Sequence, residues 1–318
     1  MSNILITGAS GFIGANLVHH LSRTKNQINI FVREQSGLWR INDVLSKVHI
    51  HSVDLVNSKS LKKKIFEIKP DIVFHCATYG VLPYQKSISK LIKTNILGSV
   101  NLMTALTEYN NLERFVNLGS SFEYGTKLRP IKESELVEPI TPYGIVKVTQ
   151  TYFTKYFAYQ KNLPSVTLRL FTPYGRYDEP GRLISDIMVS LVQKNKLTLF
   201  SPYAVRDFIH IDDVINAMMK AAKTPKIHGE VFNIGSGREY SVGEIVKFAC
   251  EVAKTDIEIV WKNSTQREFD KAGGKGHADI KKSKMLLNWN PKHTIKEGLS
   301  KTYNWYKENL YFYNHKKR

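Results

Sequence analysis

Two side chains four residues apart form a pair that could move a proton. Tyr143 and Lys147 are the first and last residues of the segment 143–147. A spacing of four places both side chains on one face of a helix. A phenol has an ordinary pKa of about 10, so it is a poor base at neutral pH unless a nearby cation stabilises the phenolate. The pair predicts that Tyr143 exchanges a proton with a hydroxyl or carbonyl oxygen while a hydride moves to or from the carbon.

Two serines precede this pair in the sequence. Ser120 and Ser121 follow a hydrophobic run that ends near Leu118, and the carboxyl ends of parallel strands form the rim at which such sheets bind ligands. Either hydroxyl could hold the substrate oxygen next to Tyr143. The alternative is that both serines only cap a turn.

A glycine-rich turn near residue 10 predicts a dinucleotide site. Residues 7–14 follow a β-branched run and precede an amphipathic stretch, which is the context that a pyrophosphate loop requires. Glycine permits a tight turn and a close backbone approach, and the positive end of the following helix receives the phosphates. The predicted cofactor contacts in this loop are Gly8, Ser10, Gly11, Phe12, Ile13 and Gly14.

The residue that ends the second predicted strand bears on the choice of cofactor. Arg33 stands where an NAD-selective fold places Asp or Glu to bind the ribose 2′-hydroxyl. A guanidinium pairs with a 2′-phosphate instead, so Arg33, with Arg40 as a second candidate, favours NADP over NAD. The adjacent Glu34 would reverse this inference if the strand ended one residue later. Asp54, after the third strand, is a candidate for the adenine amino group or for a turn.

The elements that must position these residues alternate between short β-branched runs and amphipathic stretches. Six strands are predicted within residues 1–170, with helices that include 61–68, 91–106 and 143–159. The alternation predicts an α/β fold, a Rossmann-type doubly wound parallel sheet with a smaller C-terminal substrate-binding lobe. We expect a dinucleotide-binding domain over 1–170, and a lobe over 171–318 from which the segment 207–235 returns to the first domain.

Composition excludes several classes of protein. The 318 residues are 42% hydrophobic and include 19 Gly and 11 Pro, values that are typical of neither a disordered nor a collagen-like chain. Two cysteines without metal-ligand spacing predict no disulfide framework, no metal site and a cytoplasmic location. No signal peptide or membrane span is predicted. The net charge of +18 attracts anions, which include nucleic acid, acidic lipid and phosphorylated small molecules. The alternative is a Lys-rich surface that only keeps the protein in solution. No nucleic-acid partner is predicted, because no recognisable nucleic-acid motif is present.

The chain resembles the extended short-chain dehydrogenases/reductases that act on nucleotide-linked sugars, the NAD-dependent epimerase/dehydratase family. The matching segments are 7–14, 71–77, 94–98, 120–125, 143–147, 206–213, 232–237 and 286–291. The resemblance implies that Ser120 is catalytic, that Tyr143 is the acid/base and that Lys147 binds the nicotinamide ribose. It also implies that Arg206 and Arg267 clamp the diphosphate of a nucleotide-diphosphate sugar, and that the helices near 91–106 and 143–159 form a homodimer.

The remaining predicted contacts fall in or near these segments. For the cofactor they are Asp54, Leu55, Ala77 and Asn95. For the substrate they are Thr78, Tyr79, Ser121 and Thr172. Three tyrosines are predicted to line the sugar pocket, Tyr84, Tyr174 and Tyr203.

Departures from the family pattern bear on the reaction. Sugar 4,6-dehydratases carry an acidic pair where this chain has Ser121 and Phe122, and hexose 4-epimerases commonly carry Asn where it has Thr172. With Arg33, these departures favour a reductase that uses NADPH to reduce the C4 carbonyl of a nucleotide-linked 4-keto-6-deoxysugar. The alternative is an NAD-dependent nucleotide-sugar 4-epimerase, and a 4,6-dehydratase or a non-catalytic dinucleotide sensor is less favoured.

Overall fold

The computed structural model describes residues 1–82, 84–127, 130–262 and 276–314. The strands are β1 (Asn3–Thr7), β2 (Gln27–Val32), β3 (His49–Ser52), β4 (Ile72–His75), β5 (Arg114–Ser120), β6 (Ser165–Leu170), β7 (Thr172–Tyr174), β8 (Leu197–Leu199), β9 (Val205–Arg206), β10 (Phe208–His210), β11 (Val231–Ile234), β12 (Tyr240–Ser241) and β13 (Ile259–Trp261). The α-helices are α1 (Phe12–Leu21), α2 (Ser58–Ile68), α3 (Ile88–Leu91), α4 (Gly98–Tyr109), α5 (Pro142–Lys161), α6 (Leu183–Gln193), α7 (Ile211–Lys223), α8 (Val242–Ala253), α9 (Lys281–Leu287), α10 (Ile295–Asn309) and α11 (Tyr311–Asn314). Single 3₁₀ segments span Trp39–Lys47 and Ser121–Glu123, and a π-helix spans Ile92–Leu97.

The main sheet sets the position of the site. Seven strands form it in the order β11-β6-β5-β4-β1-β2-β3, and every neighbouring pair is parallel. The winding reverses between β1 and β4, because the chain first moves outward to β3 and then returns past β1. At such a reversal the two following connections diverge, which leaves a crevice at the carboxyl ends of the strands where ligands bind.

Alternating side chains of the strands face two helical layers. On β1, Ile4 and Ile6 belong to a core shared with α1 and α7. Leu5, between them, packs into a second core shared with α2 and α4. Because successive side chains of a strand point to opposite faces, this central strand is apolar throughout and is buried on both sides.

Short strands and helices after β6 enclose a third core. Parallel pairs β7–β10 and β8–β13 and the antiparallel pair β9–β12 lie outside the main sheet. Side chains of α6, α8 and α10 pack together in this core. The strand β11 instead lies in the main sheet beside β6. The division of the chain into domains over 1–170 and 171–318 stays a prediction.

The predicted fold class is confirmed, and the six predicted strands are β1 to β6. One predicted element differs in detail, because the helix expected over 91–106 consists of α3, the π-helical turn Ile92–Leu97 and α4. A π-helical turn inserts an extra residue into a helix and is often found at functional sites. This turn carries Asn95, one of the predicted contact residues.

Two observations concern membrane-spanning helices and the state of the cysteines. Within the described ranges, no helix combines the length and apolar character needed to cross a bilayer. Cys76 and Cys250 are both free thiols. The cytoplasmic location stays a prediction.

Candidate active site

The turn between β1 and α1 forms a cradle for an anion. Gly8 has a φ of +68°, and a Cβ atom at Gly14 would lie 2.2 Å from the carbonyl oxygen of Gly8, so the turn has no room for side chains there. Gly11 is the N-cap of α1, has no side-chain cap and is followed by no acidic residue in the first turn. The first N–H groups and the positive end of the helix dipole therefore fit a dinucleotide pyrophosphate. Ser10, Phe12 and Ile13 lie in the same turn and helix start.

The two arginines predicted for a 2′-phosphate differ in their surroundings. Arg33 is exposed just after β2. Arg40 is buried, donates to the backbone oxygens of Tyr177 at 2.8 Å and Ser10 at 3.3 Å, and pairs with Glu179. Arg40 therefore supports the glycine-rich turn, and its predicted role as a helper of Arg33 is wrong because its guanidinium is already committed.

The other predicted cofactor contacts border the same crevice. The backbone nitrogen of Ala77 would lie 2.6 Å from a Cβ atom at Gly8, so the end of β4 packs directly on the turn. Leu55 is buried. A carboxylate oxygen of Asp54 accepts a hydrogen bond from the backbone N–H of Val56 at 3.0 Å, which is the turn role that was the alternative for this residue.

Asn95 holds the loop that follows β4. Its side chain is buried, accepts a hydrogen bond from the backbone N–H of Tyr79 at 2.8 Å and donates one to the backbone oxygen of Tyr79 at 2.8 Å. The hydroxyl of Thr78 also lies 3.4 Å from its amide oxygen. Asn95 therefore positions Thr78 and Tyr79 at the crevice.

The start of α5 is pressed against the turn after β5. Thr141 caps the helix by accepting a hydrogen bond from the N–H of Gly144 at 3.0 Å. A Cβ atom at Gly144 would lie only 2.5 Å from the carbonyl oxygen of Phe122, so only glycine allows this approach. The close contact brings Tyr143 to Ser120.

The hydroxyl of Tyr143 lies at the centre of a small polar cluster. The hydroxyls of Thr78 and Ser120 lie close enough to that of Tyr143 to lower its pKa. Removal from water raises the pKa of Tyr143 to about 12, although the two hydroxyls and the nearby charge of Arg182 act in the opposite direction. Without ligands the group is therefore a protonated phenol at neutral pH, able to donate its proton to a substrate oxygen.

Lys147 supplies a buried positive charge one helical turn after Tyr143. The residue is 3% exposed, and its Nζ donates to the backbone oxygen of Leu118 at 2.5 Å and to Oε1 of Gln150 at 2.7 Å. Burial lowers the pKa of Lys147 to about 8, against the opposing effect of Glu123. Lys147 therefore remains mostly cationic at neutral pH and can stabilise a phenolate.

Ser120 is fixed by a buried ion pair. Its hydroxyl accepts a hydrogen bond from the N–H of Phe122 at 3.2 Å, and its own N–H donates to Glu123 at 2.8 Å. The other carboxylate oxygen of Glu123 accepts from Nε of Arg169 at 2.7 Å, and both partners are buried. Ser120 thus caps the turn, and its role in holding the substrate oxygen stays a prediction.

The predicted substrate contacts are spread over both sides of the crevice. Thr172 and Ser121 are partly buried at the ends of strands, and Arg206 is partly buried in β9. Asp207, next to Arg206, is buried and accepts hydrogen bonds from the backbone of Ser236 at 2.7 Å and from Gly237 and Ala278. Arg267 lies outside the described residues.

The predicted pocket tyrosines separate into two groups. Tyr84 and Tyr203 are exposed, at 58% and 86%. Tyr174 is 2% exposed, and its ring packs against Phe208 and His210. The predicted pocket role of Tyr174 is wrong, because this side chain belongs to the third core.

Arg182 is a residue of the site that the sequence did not reveal. Its guanidinium donates to the backbone oxygen of Pro173 at 3.0 Å, lies 3.4 Å from Asp178 and stands 5.5 Å from the ring centre of Phe12. It thus lies over the start of α1, and its charge acts on Tyr143. No motif marks it, since it follows an irregular segment rich in Pro and Gly.

One group of side chains has the composition of a metal site. Candidate ligand atoms of His210, Asp212 and His293 lie within 4.8 Å of one another. Arg176 and Lys301 lie 3.1 and 3.5 Å from Asp212, and Lys301 is 2.8 Å from His293. The positive side chains of Arg176 and Lys301 therefore already lie where a metal cation would bind.

Comparison with known proteins identifies the family. The model of the NAD dependent epimerase/dehydratase family matches residues 4–235. The chain belongs to this family. The match confirms the resemblance carried by the glycine-rich turn and by the Tyr143 and Lys147 pair, and the chain is an enzyme of the NAD-dependent epimerase/dehydratase type.

Members of the epimerase/dehydratase family with different reactions resemble the chain about equally. A human dTDP-D-glucose 4,6-dehydratase is 28% identical, over 97% of this chain and 91% of the relative. The crystal structure of UDP-glucose 4-epimerase with UDP-glucose from Thermotoga maritima is 27% identical, with a TM-score of 0.86 over 97% and 99% of the two chains. A UDP-glucuronic acid 4-epimerase from Bacillus cereus, in complex with UDP-glucuronic acid and NAD, is 26% identical, with a TM-score of 0.84 over 96% and 99%.

The ion pair under Ser120 yields a stability prediction. Glu123→Gln leaves Arg169 buried without its anion, and breaking such a pair typically costs about 3 to 5 kcal/mol. We expect a loss of this size in the free energy of urea unfolding. Glu108→Gln is the control, because its pair with Lys62 is exposed and such pairs contribute about 0 to 1 kcal/mol. Equal effects of the two substitutions would contradict the structural role of Glu123.

Proposed function

We propose that this protein is an NAD-dependent nucleotide-sugar 4-epimerase. The observation that carries the proposal is the proximity of Tyr143 to Ser120, with the buried cation of Lys147 one helical turn away and a cradle that fits a dinucleotide. Similar proteins support the cofactor and the substrate class, since the UDP-glucuronic acid 4-epimerase from Bacillus cereus binds UDP-glucuronic acid and NAD.

In the proposed reaction the sugar C4 oxygen lies between Ser120 and Tyr143. When bound, the nicotinamide of NAD supplies the chemistry of accepting a hydride from C4 and returning it. Tyr143 takes the proton of the C4 hydroxyl during oxidation and gives it back during reduction, and Ser120 orients the oxygen. Lys147 stabilises the phenolate that must be present before the oxidation and that forms again in the reduction, because a nearby positive charge lowers the pKa of a phenol.

Elimination of water is disfavoured in this site. A dehydratase needs an acid and a base near the carbons next to C4, whereas Ser121 and Phe122 occupy the positions that follow Ser120. The ring of Phe122 meets that of Tyr143 edge to face, with 5.9 Å between the ring centres. Glu123 is buried and bound to Arg169, so it is not available as a substitute.

The second candidate is the NADPH-dependent reduction of a nucleotide-linked 4-keto-6-deoxysugar. Arg33 favours it, because an exposed guanidinium after β2 can pair with a 2′-phosphate. The protonated phenol of Tyr143 also suits a group that only donates a proton. Arg40 gives this candidate no support, since its guanidinium is bound to Glu179 and to the backbone.

We assign the nucleotide-diphosphate sugar to the cleft that Arg206 borders. Asp207 binds the backbone of Ser236 and Ala278, which fixes the strand that carries Arg206. A planar, permanently charged guanidinium is well suited to a diphosphate, and Arg267 is proposed to act with it. A cytoplasmic location is proposed as well, in keeping with the free thiols of Cys76 and Cys250.

We further propose a homodimer formed through α5 and the helices around Asn95. Large apolar side chains on these elements are exposed, which is unusual for a surface without a partner. They are Ile145, Tyr152, Phe153, Tyr156 and Tyr159 on α5, and Ile88, Ile92 and Leu97 around the π-helical turn.

Removal of the Tyr143 hydroxyl tests the reaction. Tyr143→Phe is expected to lower the rate of C4 epimerisation of UDP-glucose or UDP-glucuronic acid by about 10²-fold or more, since it removes the acid/base. NMR of the sugar product measures the rate, and circular dichroism checks the fold. Tyr152→Phe, an exposed residue of the same helix, is the control and should retain full activity. Full activity of Tyr143→Phe would remove this residue from the proton transfer.

The cofactor separates the epimerase from the reductase. We expect purified protein to release NAD on denaturation, and the emptied protein to bind NAD more tightly than NADP by calorimetry. Arg33→Ala should leave the affinity for NAD unchanged. If the protein instead prefers NADPH and Arg33→Ala abolishes that preference, the reductase replaces the epimerase.

The proposed interface predicts a change in molecular mass. Sedimentation at micromolar concentration should show a dimer, and Tyr156→Glu should shift it to a monomer because a charge would be buried in the interface. Tyr203→Glu is the control, since Tyr203 is exposed and is not part of the proposed interface. A monomeric unmodified protein would refute the homodimer.

A further inference from the structure

The buried lysine of the site is the end of a chain of hydrogen bonds that runs from α5 through α4 to β4 and β1. Lys147 donates to Oε1 of Gln150, and Nε2 of Gln150 donates to the hydroxyl of Ser99 at 2.9 Å. The same hydroxyl lies 2.8 Å from Nε2 of His75, whose Nδ1 lies 2.7 Å from the hydroxyl of Thr7. All five residues are at least 97% buried, so each hydrogen bond is costly to lose.

The direction of every bond in this chain follows from one contact. The hydroxyl of Ser99 donates to the backbone oxygen of Asn95 at 2.7 Å, so its oxygen is an acceptor towards both Gln150 and His75. His75 must then carry its proton on Nε2, and its Nδ1 accepts from the hydroxyl of Thr7. The amide of Gln150 consequently presents its oxygen to Lys147, because its nitrogen is bound to Ser99.

The histidine in the chain is neutral. Burial lowers the pKa of His75 to about 3, and the charge of Lys147 acts in the same direction. At neutral pH its one proton therefore stays on Nε2. The chain is thus a set of fixed dipoles that ends at β1, next to the glycine-rich turn.

Among the described residues, two acceptors bind the ammonium of Lys147, which leaves one donor for a ligand. An ammonium group has three N–H donors, and the backbone oxygen of Leu118 and Oε1 of Gln150 accept two of them. Two fixed acceptors determine the rotation of the group, so the direction of the third donor is determined as well.

We propose that Gln150 is a positioning residue that fixes the ammonium of Lys147 towards the cofactor ribose and Tyr143. The proposal rests on the role of Lys147 in the proposed function. A purely structural alternative is that Gln150 only joins α5 to α4 through Ser99. The two differ in one measurable property, since only a group that acts on the ammonium changes its titration.

Other charged or titratable groups surround Lys147 and must be considered when this residue is titrated. Tyr143 lies on the same helix, Glu123 lies in the turn after β5, and Cys76 and His75 lie at the end of β4. Burial raises the pKa of the Cys76 thiol to about 12, so it stays neutral like His75. Gln150 is linked to His75 through Ser99, but because His75 stays neutral, a change at Gln150 does not change the charge of His75.

The test is the titration of Lys147 in the cofactor-free, full-length protein, followed by NMR with ¹³C-labelled lysine. Lys147→Arg identifies the signal, which is expected to titrate near pH 8. Gln150→Met removes an acceptor from a cation and should lower the pKa of Lys147 by about 1 to 2, because such hydrogen bonds are worth about 1.5 to 3 kcal/mol. Gln150→Glu places an anion there and should raise the pKa of Lys147.

A matched control lies at the next position of the helix. Thr151 is buried, and its hydroxyl has no hydrogen-bond partner among the described residues. Thr151→Val keeps the shape of the side chain and should leave the titration of Lys147 unchanged. Calorimetry should also show weaker NAD binding, by about tenfold, for Gln150→Met and not for Thr151→Val.

Opposite shifts for the two Gln150 variants would support the proposal, because a general loss of structure cannot move one pKa in both directions. An unchanged titration in both variants, or a shift of the same sign, would overturn it and leave Gln150 a packing residue. Failure of the proposed function is distinguishable, since it appears as activity retained by Tyr143→Phe while the titration of Lys147 still responds to Gln150.

Discussion

The burial of one ammonium group organises the site. A charge inside a protein is costly unless hydrogen-bond partners replace water, and Lys147 finds them at the end of β5 and in its own helix. These bonds fix α5 against the sheet. Because Tyr143 lies one turn earlier on the same helix face, the same constraint places the phenol beside Ser120. The proposed chemistry and the packing of α5 therefore both depend on the buried ammonium of Lys147.

The second constraint is the reversal of winding between β1 and β4. It brings the glycine-rich turn against the backbone that follows β4, where the space at Gly8 is too small for a side chain. Thr78, which follows β4, then meets Tyr143 from the opposite side. Residues from β1, β4, β5 and α5 share one crevice only because their carboxyl ends lie at the same edge of a parallel sheet.

The epimerase/dehydratase fold does not by itself determine the reaction, since relatives with different reactions share it at similar identity. The difference lies in a few side chains on the rim. Here the ring of Phe122 packs against that of Tyr143, and Glu123 is paired with Arg169. The pair of Glu123 and Arg169 holds the turn that carries Ser120. Glu123 therefore has a structural role although it is close to the site, and the proposed chemistry takes place at C4 of the sugar.

The sequence by itself determined the sheet, the glycine-rich turn and the Tyr143 and Lys147 pair, because strand alternation and helical spacing are local properties. Tertiary structure decided the rest. Arg40 meets the backbone of Tyr177, 137 positions away, and Tyr174 packs into a distant core, so neither has the role predicted from its residue type. Arg182 reaches the site from another element, and the amide of Gln150 is oriented by Ser99 on the neighbouring helix α4. The sequence does not show whether the side chain of an arginine or a glutamine faces water or a buried charge. Only the packing of segments that are remote in the sequence determines this.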